Sequence, residues 1–132
     1  MISDYLIPVL KSRYAEKAFV FDALPAPVAS LPAPYKEIGR LEIEDDDHEI
    51  TIYISEITHA HFGCYDENLT KTEKEKEIAE DVIRFLDDLF ADRVLLHKSL
   101  NGLIGGWKVL TADAAPESST LLCDRYLWSR KL

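Results

Sequence analysis

The stretch RLEIEDDDHEITIYI, Arg40 to Ile54, decides how this chain is read. Leu41 and Ile43 alternate with Arg40, Glu42 and Glu44. After the polar run Asp45 to His48, Ile50, Ile52 and Ile54 alternate with Thr51, Tyr53 and Ser55. Side chains on a strand point to opposite faces in turn. Period-two patterning on both sides of a polar cluster therefore predicts a β-hairpin with one apolar and one polar face. The three aspartates do not form a calcium loop. An EF-hand places ligands at every second position, with a central Gly and a terminal Glu, and this run lacks that layout. They are read as a solvated turn.

Working toward the C-terminus, the second strand is expected to run on through ITHAHFGCY, Ile57 to Tyr65. Unbroken alternation then puts His59 and His61 on the polar face and sends Cys64 the other way. A straight strand cannot bring all three to one metal, although Gly63 can redirect Cys64. His59 and His61 are about 7 Å apart at Cα, from two strand rises, a spacing that suits chelation of zinc, iron or copper. They are the candidate metal ligands. A third ligand would have to come from His97, Tyr53, Glu56, Asp66 or Cys64. A haem needs one axial His or Tyr, which either histidine or Tyr65 can supply.

The strongest helical signal follows. Thr70 with Glu73, or Thr72 with Glu75, can form a capping box. Ile78, Val82, Phe85, Leu86 and Leu89 share one face, and Glu80, Asp81, Arg84, Asp87 and Asp88 lie on or near the other. This predicts an amphipathic helix of about five turns, packed on a sheet. Beyond it, Val94 to Lys98 reads as a strand and Asn101-Gly102 as a type I′ turn. Gly105-Gly106 invites a bulge before Trp107 to Leu110. Residues 111–120 read as an exposed loop, and Leu121 to Trp128 as a closing strand. Trp107, Tyr126 and Trp128, if they share an open face, are candidate ligand-binding residues, with Tyr65 a fourth.

Working toward the N-terminus, LPAPVASLPAP, residues 24–34, carries four prolines and repeats Leu-Pro-Ala-Pro. Prolines are excluded from helix interiors and central strands, so an extended connector is expected. P-x-x-P spacing is absent. Ala18 to Phe21 reads as a short strand. Tyr5, Leu6, Val9, Leu10 and Tyr14 mark a short helix, capped by Ser3 or Asp4, with Pro8 near its first turn.

The order is α-β-ββ-α-βββ. The expectation is an α+β fold in one compact domain, residues 1–132. It has a mostly antiparallel sheet of about six strands, one long amphipathic helix and a short N-terminal one.

The 132 residues carry 24 acidic and 15 basic side chains, a formal net charge of −9. That balance argues against nucleic acid, whose phosphates draw affinity from Lys and Arg, and against an anionic membrane surface. No apolar run reaches spanning length. With two cysteines, Cys64 and Cys123, and no basic leader, a cytoplasmic location with free thiols is expected. The motifs of hydrolases, nucleotide-binding loops and metalloproteases are absent. The leading expectation is therefore a small acidic interaction protein, of which an inhibitor or immunity-type protein is one example, recognising a basic partner. One alternative is a metal- or haem-binding protein using His59 and His61. Another is a small-molecule binder with a pocket between sheet and helix. An exposed strand edge can support a homodimer.

Overall fold

The computed structural model describes residues 1–21, 27–55, 57–100, 105–110 and 123–132. Among them are two helices and two antiparallel four-stranded sheets, so the fold is α+β. The elements are α1 (Ser3–Arg13), β1 (Ala29–Pro32), β2 (Arg40–Asp45), β3 (Glu49–Ile54), β4 (Thr58–Gly63), α2 (Lys71–Phe90), β5 (Val94–Ser99), β6 (Gly105–Val109), β7 (Cys123–Leu127) and β8 (Arg130–Lys131). One sheet has the order β1-β2-β3-β4, the other β6-β5-β7-β8.

The deciding hairpin forms as its alternation predicts. Leu41 faces Ile54 and Ile43 faces Ile52 across β2 and β3, and all four are fully buried. The aspartates build the turn. Asp46 Oδ1 accepts from the backbone N–H groups of His48 and Glu49, and Asp45 Oδ1 accepts from that of Asp47. The remaining Asp45 oxygen accepts from Ser3 N at 2.8 Å. That bond satisfies one orphan N–H of the first turn of α1, a role expected of Ser3 or Asp4 themselves. Ile2 occupies the cap position and makes no side-chain cap. Pro8 lies in the interior of α1 rather than its first turn, where it removes one helix hydrogen bond.

The single six-stranded sheet of the sequence reading is replaced by two sheets and the order α-ββββ-α-ββββ. Two segments account for most of the difference. The strand from Glu49 does not run on. It turns at Ser55, whose φ is 41°, and returns antiparallel as β4 with Ile54 facing Thr58. The proline segment also contributes a strand, β1, rather than acting only as a connector. Ser30 exchanges both backbone hydrogen bonds with Val20, on the side away from β2, while Ala33 donates to Gly39 on the β2 side. By alternation the nitrogen of Pro32 faces away from β2, so its missing N–H breaks no ladder bond. Of the strand expected at Ala18 to Phe21, only the Val20 bridge to Ser30 forms. At the C-terminus, β7 ends at Leu127 and Trp128 enters the turn to β8. The Asn101-Gly102 turn, the 111–120 loop, Leu121, Glu56 and residues 24–26 of the proline segment lie outside the described residues.

The two sheets adjoin along β4 and β6. The indole N–H of Trp107 donates to the carbonyl of His59 at 3.2 Å, and Gly105 lies directly against the carbonyl of Ile57. Helix α2 spans this junction. Phe85 meets Phe62 of β4 at 5.4 Å and Trp107 of β6 at 4.9 Å between ring centroids. Its buried residues Ile78, Ala79, Val82, Phe85, Leu86 and Leu89 follow the predicted stripe. The Thr70–Glu73 capping box is formed in both directions. Together, α1, α2, the inner faces of both sheets and Trp128 bury one continuous hydrophobic cluster. No helix among the described residues is long and apolar enough to cross a membrane.

Candidate functional site

Among the described residues, helices cover only the inner face of the first sheet, the face of Leu41, Ile43, Ile50, Ile52, Ile54 and Ala60. Its outer face is built by the alternate residues. Strand register arranges them in rows: Glu42, Tyr53 and His59 in one, Glu44, Thr51 and His61 in the next. Tyr53, His59 and His61 are exposed. The Thr51 hydroxyl lies 3.0 Å from His61 Nδ1. The rings of His59 and His61 meet edge to face with centroids 4.8 Å apart, and Tyr53 lies 5.9 Å from His59. Arg40, at the end of β2, pairs with Glu42 at 3.4 Å. A shallow depression of about 280 Å³ is lined by Glu42, Glu44, Tyr53 and Ser55.

Cys64 is turned away from this face. Its thiol donates to Glu77 of α2 at 3.5 Å. It lines a larger cleft, about 550 Å³, at the N-terminal end of α2, together with Asp47, His48, Tyr65, Lys71 and Glu75. Tyr65 is 81% exposed and donates to Glu49 at 3.1 Å, and that carboxylate raises its pKa. Glu75 is 7% exposed, and the α-ammonium of Met1 lies 3.1 Å from it and 2.9 Å from Asp4. Those two carboxylates, Asp4 first, push the ammonium pKa up to about 10. Lys71 pairs with Asp47 at 3.2 Å, which raises the lysine pKa. Met1 with Glu75 and Lys71 with Asp47 are ion pairs at this cleft, and neither His59 nor His61 lines it.

The aromatic candidates have a different fate. Trp107 and Tyr126 both face Leu96 across the ladders of β5, so they share one side of the second sheet. That side is filled rather than open. Tyr126 is 5% exposed and donates to Glu37, and Trp128 is 3% exposed against Phe90. Trp107 is wedged between Phe85 and the His59 carbonyl. Of the other ligand candidates, His97 projects onto Gly106, and Asp66 accepts from Asn68 N in the loop before α2. Among the described residues no group of three His, Cys, Asp or Glu is placed to hold a metal.

The sequence alone did not reveal that the carboxylates of β2 share rows with the histidines, with β3 between them. The signal was present, since alternation puts Glu42, Glu44, Thr51 and Tyr53 on one side. What it lacked was the knowledge that β4 pairs with β3. Searches against family models, curated proteins and solved structures found no match for this chain.

Proposed function

We propose that this chain is a non-catalytic binding protein that recognises a basic partner through the outer face of its first sheet. One observation carries the reading. Among the described residues that face carries no helix layer, and it presents Glu42, Glu44 and exposed Tyr53 around one depression, beside two exposed histidines. Carboxylates on a protein of net charge −9 steer cationic partners and set register. An exposed tyrosine at the centre of such a face supplies the rigid apolar contact that anchors interfaces.

The test is retention of proteins from the native host on immobilised chain, at low and moderate salt. The expected result is a basic protein whose capture falls with salt and is lost with Glu42→Lys plus Glu44→Lys, and with Tyr53→Ala. Equal capture by the charge-reversed chain, or no salt-sensitive basic protein at all, would sink the proposal.

A further inference from the structure

We infer that His59 and His61 form a two-imidazole chelate for a divalent transition-metal ion of the copper and zinc class, independent of any protein partner. The geometry of the pair is the first argument. Imidazole nitrogens bind these ions at about 2.0–2.1 Å, which places each ring centroid about 3.2 Å from the metal. Two such rings are then about 4.5 Å apart at a right-angled ligand–metal–ligand angle and about 5.2 Å apart at a tetrahedral one. The observed separation, 4.8 Å, lies between the two, and because both rings are exposed they can rotate out of their edge-to-face contact to turn one nitrogen each toward a shared ion. Both side chains rise from the same exposed face of β4, so closing on an ion displaces no core group.

The second argument is the orientation of His61. Its Nδ1 lies 3.0 Å from the Thr51 hydroxyl, directly across the ladder. When that nitrogen carries the ring proton and donates it to Thr51, the Nε2 lone pair is left for the metal. A ligating histidine commonly has its second nitrogen held in this way. Thr51 is therefore a positioning residue. The third argument is charge. Glu42, paired with Arg40, and Glu44 stand in the same two rows as the histidines across β3, and Glu44 above all lowers the potential for a cation. The donor set selects the metal class. Nitrogen ligands suit copper, nickel and zinc, with copper bound most tightly, and do not suit magnesium or calcium, which take oxygen. The polar neighbours Thr51 and Tyr53 suit a hydrated ion, whose remaining positions face solvent.

Copper(II) titration of the full chain in a non-coordinating buffer tests this, read by equilibrium dialysis and electron paramagnetic resonance. One equivalent should bind, with a two-nitrogen imidazole signature. His59→Ala and His61→Ala should each weaken binding at least about tenfold, and the double variant should lose the signature. Thr51→Val should weaken binding about tenfold while leaving the circular dichroism of the fold intact. His48→Ala should bind as the parent does. Retention of the equivalent and its signature by the double variant, a loss caused by His48→Ala, or no stoichiometric binding by the parent would each overturn the inference.

Discussion

Gly105 shows how much can hang on one hydrogen atom. A Cβ built there would lie 1.6 Å from the carbonyl oxygen of Ile57, so β4 and β6 approach as closely as they do only because the side chain is absent. At Gly106, next along the strand, the same carbon would meet the ring of His97 at 2.5 Å. The two obstacles differ in kind. A backbone carbonyl in the turn leading into β4 must move with its chain, whereas an imidazole can swing. Gly105→Ala is therefore expected to destabilise by about 3 kcal/mol, the upper end of the usual cost of overpacking. Gly106→Ala should cost less. Denaturant midpoints of the two variants check this, and equal losses would contradict it. The dipeptide was visible in the sequence as a place for a bulge. Its partner, Ile57, was not, because nothing local links residues 48 positions apart. Ser55 was hidden in a different way. It turns the chain at φ 41° with neither Gly nor Asn to announce it, held by bonds to Arg40 N at 2.7 Å and Arg40 O at 3.2 Å.

At the scale of the element, α2 is the best-announced part of the molecule. Two capping boxes were possible, and the helix begins at Lys71, so Thr70 is the cap. Its hydroxyl accepts from Glu73 N at 3.2 Å, and Glu73 Oε1 accepts from Thr70 N at 3.3 Å. Thr70→Ala is expected to lower stability by about 1 kcal/mol. Thr72→Ala, on an exposed first-turn site, should change it by less than about 0.5 kcal/mol. Thermal or chemical unfolding distinguishes the two, and the reverse ranking would move the cap. The far end of the helix was less legible. Asp92 takes the left-handed conformation at φ 59° where glycine is usual, and its carboxylate holds Ser129 N at 3.1 Å in the turn between β7 and β8. The acid thus stops the helix and ties it to the second sheet. β1 is the converse case. The prolines of the segment argue for a connector, yet β1 holds only Pro32, whose nitrogen faces away from β2, and this permits a strand.

Across the whole molecule, electrostatics link elements distant in sequence. Asp87 of α2 receives the Arg13 guanidinium of α1 at 2.9 and 2.6 Å and the Tyr14 hydroxyl at 2.6 Å. Arg13 above all holds the Asp87 carboxyl below its ordinary pKa, and the backbone N–H groups of Glu49 and His48 do the same for Asp46. A carboxylate whose folded pKa is depressed stabilises the fold above its unfolded value, about 3.9, and that stabilisation is lost as pH falls through the folded value. Unfolding midpoints should therefore drop below about pH 4. Asp87→Asn, less stable than the parent at neutral pH, should lose less on acidification. An unchanged acid limb in that variant would remove Asp87 from the account. The alternation of apolar and polar residues by itself determined the Arg40–Ile54 hairpin, the buried stripe of α2 and the common exposed face of His59 and His61. Those features rest on strand and helix periodicity, which is a local property of the chain. Only the tertiary structure decided that the strands divide into two sheets, that Tyr126 and Trp128 are buried with Trp107 packed against the core, and that Glu42 and Glu44 share rows with the histidines across β3. Each of these depends on which distant strand or helix a segment meets, and backbone hydrogen bonds are alike for every candidate partner, so the choice falls to packing of the assembled chain.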